Sequence, residues 1–193
     1  MTMPKAATAA VVGVLALWTI GCGGGGSSSG PDSQSTLTVR LTDSPFSDAQ
    51  AVLVTFSEVS AHATGGDFMP LAFAGGATSR TCDLKRLVGA EDVLGTGALP
   101  PAHYTGLRLT VSGGALYFDG GTSGAACADQ IAAPAGRSAA LTIPSGEVRL
   151  NREFDLASGS ATTITLDFDG DQSIKLAGAQ YIMTPVIGVV SVQ

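Results

Sequence analysis

The chain has 193 residues, 45% of them hydrophobic and only 13% charged, with 26 glycines and a formal net charge of −6. That length holds one domain plus an appendage, and the composition is too apolar for a disordered chain and too rich in glycine for a helical one. The excess of acid excludes sequence-independent nucleic-acid binding, which needs clustered Lys and Arg to displace counterions from phosphate.

The N-terminus reads as a targeting segment. Lys5 supplies one positive charge, and Ala6 to Ile20 form an apolar run that is short for a membrane span and suited to the core of a signal peptide. Gly21 then precedes Cys22, an arrangement that resembles the lipobox of bacterial lipoproteins, with Thr19 standing where that pattern usually has leucine. The resemblance implies cleavage before Cys22 and acylation of its new N-terminus, so Cys22 is the expected lipidation site. Residues 23–35, GGGGSSSGPDSQS, contain no apolar side chain and are expected to act as a flexible tether with a span of roughly 20 Å. The expected organisation is a signal peptide over 1–21, an anchor and tether over 22–35, and a single β-sandwich domain over 36–193. The expected location is the bacterial cell envelope, at the outer membrane, with the membrane as partner through the lipid on Cys22.

Cysteine arithmetic fits export. With Cys22 lipidated, Cys82 and Cys127 remain as an even pair and are expected to form a disulfide. No C-x-x-C pair is present to support a redox centre or a zinc knuckle.

From residue 36 the dominant hydrophobic period is two. Leu37, Val39 and Leu41 alternate with polar residues; Val52, Val54 and Phe56 repeat the pattern, and a phase slip to Val59 predicts a bulge near Glu58. Met69, Leu71 and Phe73 form a short strand that Pro70 assigns to an edge. Asp83 to Leu94 is the expected helix, capped by Asp83, with Leu84, Leu87 and Val88 on one face. Strands follow at Leu107–Val111, Leu116–Phe118, Val148–Leu156 and Ile164–Phe168, with a Gly/Ala/Ser-rich loop at 119–138 that the disulfide would hold. Tyr181 to Val192 is apolar on both faces and is expected to be central. About seven to nine strands with one short helix predict an all-β, two-sheet antiparallel sandwich.

The segments TVRLTDSPF (38–46), VTFSEVSAH (54–62), DLKRL (83–87), LPPAHYTGLRL (99–109), LDFDGDQSI (166–174) and YIMTPVI (181–187) occur in an order that resembles the bacterial lipoprotein family catalogued as domain of unknown function 4382. Ala102 departs from the glycine usual in that family's turn before the tyrosine. The resemblance implies an immunoglobulin-like or prealbumin-like β-sandwich exported to the envelope, and no reaction.

Candidate chemistry is sparse. Asp167, Asp169 and Asp171 begin like an EF-hand loop, but Gln172 and Gly178 occupy the positions of its tight-turn glycine and bidentate glutamate, which excludes that motif. On a strand Asp167 and Asp169 share a face about 7 Å apart. They hold calcium, the one cofactor the residues suggest, if a ligand such as Asp43 converges with them; otherwise they accept backbone N–H groups at a strand end. Asp43 and Ser44 are natural turn formers before Pro45, and Phe46 is expected to lid the core. His62 and His103 are the only histidines, and no G-x-S-x-G, P-loop or H-E-x-x-H motif is present. Three function classes follow: a non-enzymatic binding, adhesion or structural module with a protein or glycan ligand; an envelope enzyme using carboxylates among Glu58, Asp43, Asp167 and Asp169; and a calcium-stabilised adhesion module. Because the only tryptophan, Trp18, lies in the signal segment, a broad aromatic sugar platform is not expected.

Overall fold

The computed structural model describes residues 33–44 and 46–193. The expected signal peptide, Cys22, most of the tether and Pro45 lie outside them. In chain order the strands are β1 (Ser35–Ser44), β2 (Ala51–Ala63), β3 (Phe68–Pro70), β4 (Arg80–Asp83), β5 (Asp92–Leu99), β6 (Ala102–Tyr117), β7 (Cys127–Ala128), β8 (Ser138–Thr142), β9 (Glu147–Leu150), β10 (Phe154–Leu156) and β11 (Ala161–Asp169). One helical turn, α1 (Gly170–Ser173), precedes β12 (Ile174–Ala177), β13 (Gln180–Met183) and β14 (Ile187–Val192). The domain begins slightly earlier than the composition suggested: Ser35 is buried in β1, and the Ser33 carbonyl accepts from the Gly159 N–H at 3.1 Å.

Two sheets share one core, in which Leu37, Val39 and Leu41 from one meet Val54, Phe56, Leu107 and Leu109 from the other. The smaller sheet runs β14-β11-β1-β5; the larger follows β12-β13-β8-β6-β2-β4-β7, with β3, β9 and β10 pairing on its flanks. The expected all-antiparallel pairing gives way to mixed sheets, because β1 pairs β11 in parallel and β13 pairs β8 in parallel. Strand alternation fixes which face is buried but not which distant strand lies alongside, so direction was not readable from period alone.

The long β2–β6 pair is the spine of the larger sheet, and its register shifts at Phe56/Glu58, where the phase slip predicted a bulge. Two other expectations are corrected. The predicted helix over 83–94 is a single 3-10 turn, Leu84–Arg86, that Asp83 caps by accepting from the Lys85 N–H. Leu84 and Leu87 satisfy only one turn of helical spacing before Gly89, at φ 68°, ends it, and Val93 continues into β5. The C-terminal segment is marginal rather than central: Thr184 to Val186 split it into β13, next to the margin of the larger sheet, and β14, the margin of the smaller. Only one of its faces is covered, leaving Val186 and Val190 exposed.

Residues 68–73 cross between the sheets. Pro70 lies in β3 opposite Ser60, Leu71 N–H donates to Val59 of the larger sheet, and Ala72 bridges Thr96 of the smaller one. The LPPAHY segment closes a tyrosine corner, since buried Tyr104 at the start of β6 donates its hydroxyl to the Pro100 carbonyl at 2.9 Å and stacks on Phe154. Cys82 and Cys127 are bonded across the β4–β7 pair. The loop before β7 is also held by Asp83, whose carboxylate accepts from Val52 N–H, Lys85 N–H and Thr122 Oγ1, and by Arg86, which donates to the Thr122 and Gly124 carbonyls.

Candidate functional site

The carboxylates singled out in the sequence gather at one pole of the smaller sheet. In the parallel β1–β11 register Thr42 pairs Asp167, Asp43 pairs Phe168 and Ser44 pairs Asp169. Partners in register share a face, so Asp167 and Asp169 point outward with Thr42 and Ser44, while Asp43 turns toward the core with Leu41 and Phe168. The convergence that a calcium site required therefore does not occur. Among the described residues no three His, Cys, Asp or Glu side chains are placed to share a metal ion.

The outward aspartates are engaged by their own surroundings. Asp167 accepts from Ser44 Oγ at 3.2 Å, Asp171 accepts from the Ser47 N–H at 3.1 Å, and Asp169 caps α1 by accepting from the Gln172 N–H at 2.9 Å and from its side-chain amide. Gly170 lets the two loops interlock: a β-carbon there would sit 3.0 Å from Phe46 N and 3.1 Å from the Ser44 carbonyl oxygen. TDSPF and LDFDGDQSI thus hold each other, and Phe46 is buried beneath them as expected.

Asp43 is the exception. It is 6% exposed, and neither carboxyl oxygen has a hydrogen-bond partner. Burial first, and the nearby Asp167 carboxylate second, push its pKa up to about 8, against an opposing pull from Lys85. It is therefore an un-ionised acid over most of the physiological range. The Lys85 ammonium donates instead to the Phe46 carbonyl at 2.8 Å.

Glu58 lies on β2 of the larger sheet, whereas Asp43, Asp167 and Asp169 lie on β1 and β11 of the smaller one. Arg108 Nη2 donates to Glu58 at 2.5 Å and Ser60 Oγ at 2.8 Å, and these bonds hold its pKa below the ordinary glutamate value. His103 is an exposed residue of β6, opposite Asp155 of β10 and hydrogen-bonded to it at 2.8 Å.

Glu58 belongs to a second region on the outer face of β3-β2-β6-β9. One rung of this face aligns Pro70, Ser60, Arg108 and Arg149; the next aligns Phe68, His62 and Gly106. The Arg108 guanidinium lies 4.1 Å from the Phe68 ring centroid, the Arg149 guanidinium 5.8 Å, and the His62 ring 4.7 Å. Beside them is a groove of about 270 Å³ lined by His62, Phe68, Thr105, Gly106, Arg149 and Asn151, among others. Gly106 shapes it, because any side chain there would collide with the Leu150 carbonyl; its absence lets the chain leaving β9 fold in against β6 and present Asn151.

The electrostatics of the groove differ from those of the pole. Arg108 and Arg149 stand opposite one another across β6 and β9, a like-charge pairing that is unfavourable alone. Glu58 and Glu147 offset it, each bonded to one arginine. Arg149 uses only Nε for Glu147, and its two terminal nitrogens donate to nothing among the described residues. Arg108 Nε is buried without a partner, and His62 Nδ1 and Thr105 Oγ1 share a hydrogen bond of 2.7 Å. Of these residues the sequence singled out only Glu58 and His62. Phe68, Arg149 and Asn151 occur in none of the segments singled out, and Arg108 occurs in LPPAHYTGLRL with no role assigned to it; their positions become a site only once the register is known.

The fold and its interlocked loops define an all-β, two-sheet domain. The chain belongs to the family described as Domain of unknown function (DUF4382), whose model matches residues 34–185. No curated protein and no solved structure matches the chain.

Proposed function

We propose that the protein is a lipid-anchored binding module of the bacterial cell envelope, held at the outer membrane through Cys22, that takes its ligand in the groove beside Phe68. The observation that carries this reading is the groove: a concave site on a rigid sheet face, lined by an aromatic ring and by polar donors that the protein leaves unmatched. The lipobox-like run ending in Cys22 and the Gly/Ser tether support the location. A module on a tether of roughly 20 Å searches the space near a membrane without entering it.

Two variants of the full-length protein test the reading. Cys22→Ser should move the protein from the membrane fraction to the soluble fraction after cell breakage, and an unchanged distribution contradicts the anchor. In the Cys22→Ser protein, which carries no lipid, adding Asn151→Trp, which obstructs the groove from its rim, should abolish co-sedimentation with purified envelope material. Co-sedimentation equal to that of the Cys22→Ser protein alone contradicts the groove as the binding site.

A further inference from the structure

We propose that the groove reads an acidic sugar ring, one bearing a carboxylate or sulfate group as in the repeating unit of an acidic polysaccharide, with Arg149 as the residue that engages the anion. This rests on the binding-module reading above and narrows it to a ligand class. The chain carries 16 acidic and 10 basic side chains, yet the groove is lined by Arg149 and His62 and by no Asp or Glu among the described residues. Its free donors are the two terminal nitrogens of Arg149, beside which the Asn151 amide can both donate and accept. Unmatched donors call for acceptors, and a planar guanidinium with both terminal nitrogens free fits the two oxygens of a carboxylate or sulfate.

The remaining features set the body that carries the anion. The Phe68 ring, 4.1 Å from the Arg108 guanidinium, and the bond from Arg108 to Glu58 restrain that side chain, which limits the entropy lost when a ligand docks beside it. Phe68, half-buried in β3, gives the groove the apolar surface against which the C–H face of a ring can pack. A volume of about 270 Å³ suits a single ring with its substituents.

The test is calorimetric titration of the full-length protein in detergent with three probes: oligogalacturonate, a heparin-type sulfated oligosaccharide and a neutral galactan oligomer. The expected result is binding of at least one acidic oligomer at least tenfold tighter than the neutral one. Arg149→Gln should weaken that binding at least tenfold, while Arg137→Gln, an exposed arginine paired with Asp119 outside the groove, should leave it unchanged. Preference for the carboxylated or for the sulfated probe identifies the anion, and either supports the proposal. Equal affinity for acidic and neutral oligomers, or an Arg149→Gln variant that binds as the unaltered protein does, overturns it while leaving a groove-binding module in place. Binding of none of the three also overturns it, and the co-sedimentation of Asn151→Trp then decides separately whether the groove binds at all.

Discussion

At the acidic pole the outward carboxylates are met by donors from the protein's own backbone and hydroxyls, whereas in the groove beside Phe68 donors are left without acceptors. The first arrangement holds the protein together. Asp167 and Asp171 fasten two loops whose sequences lie more than a hundred residues apart, Asp169 caps α1, and Gly170 lets those loops touch. At Arg149 the second arrangement contributes little to folding, since its pair with Glu147 is largely exposed and such a pair stabilises by about 0–1 kcal/mol. The contrast shows that a run of carboxylates which stands out in a sequence can be fully occupied inside the fold, while a site for a ligand is recognised by what the fold leaves unsatisfied.

The largest expected effect that sharpens this comparison is at Asp43. Its pKa in the folded protein, about 8, lies above the ordinary value of 3.8, so the protonated acid is the form the fold prefers. Stability from this group is therefore fully present below about pH 4 and is lost progressively as pH rises toward 8. Asp43→Asn should flatten that decline and exceed the unaltered protein in stability at pH 8 by an amount on the order of 3–5 kcal/mol, with little difference at pH 4. Urea midpoints at the two pH values check this, and parallel pH profiles for the two proteins would contradict it.

Gly170→Val comes next. Forcing side-chain atoms between Phe46 and Ser44 should cost about 1–3 kcal/mol, read as a lower unfolding midpoint, without changing ligand affinity of the folded protein. Asp169→Ala removes the cap of α1 and should cost about 0.5–2 kcal/mol in the same measurement. Arg149→Gln should move the midpoint by less than about 0.5 kcal/mol. A loss as large as that of Gly170→Val would mean that the groove, like the pole, is built for stability.

Much of the fold was legible in the sequence because alternation reports which face of a strand is buried. Leu37, Val39, Leu41, Ile164, Leu166 and Phe168 all lie in the core as their spacing required. The disulfide followed from counting cysteines, and the bulge near Glu58 from a slip in phase. The helix over 83–94 was misread because Leu84 and Leu87 fit one turn equally well as the start of a helix or as a 3-10 turn stopped by Gly89. At the pole the residues were found but their geometry was not. Whether Asp43 joins Asp167 depends on β1 lying parallel to β11 in one particular register, and a shift of one residue would have reversed the outcome. The groove was invisible for a related reason: Phe68, Arg108 and Arg149 come from three separate strands and meet only through three pairings, none of which any local pattern encodes.

The claim that the pole is structural and the groove is the binding site is tested most directly by one paired titration. The full-length protein, its Arg149→Gln variant and its Asp167→Ala/Asp169→Ala variant are each titrated with the acidic oligosaccharide that binds the unaltered protein best. The account predicts at least a tenfold loss of affinity for Arg149→Gln and unchanged affinity for the double aspartate variant. Retained affinity in Arg149→Gln together with loss in the aspartate variant would contradict it and return the function to the pole.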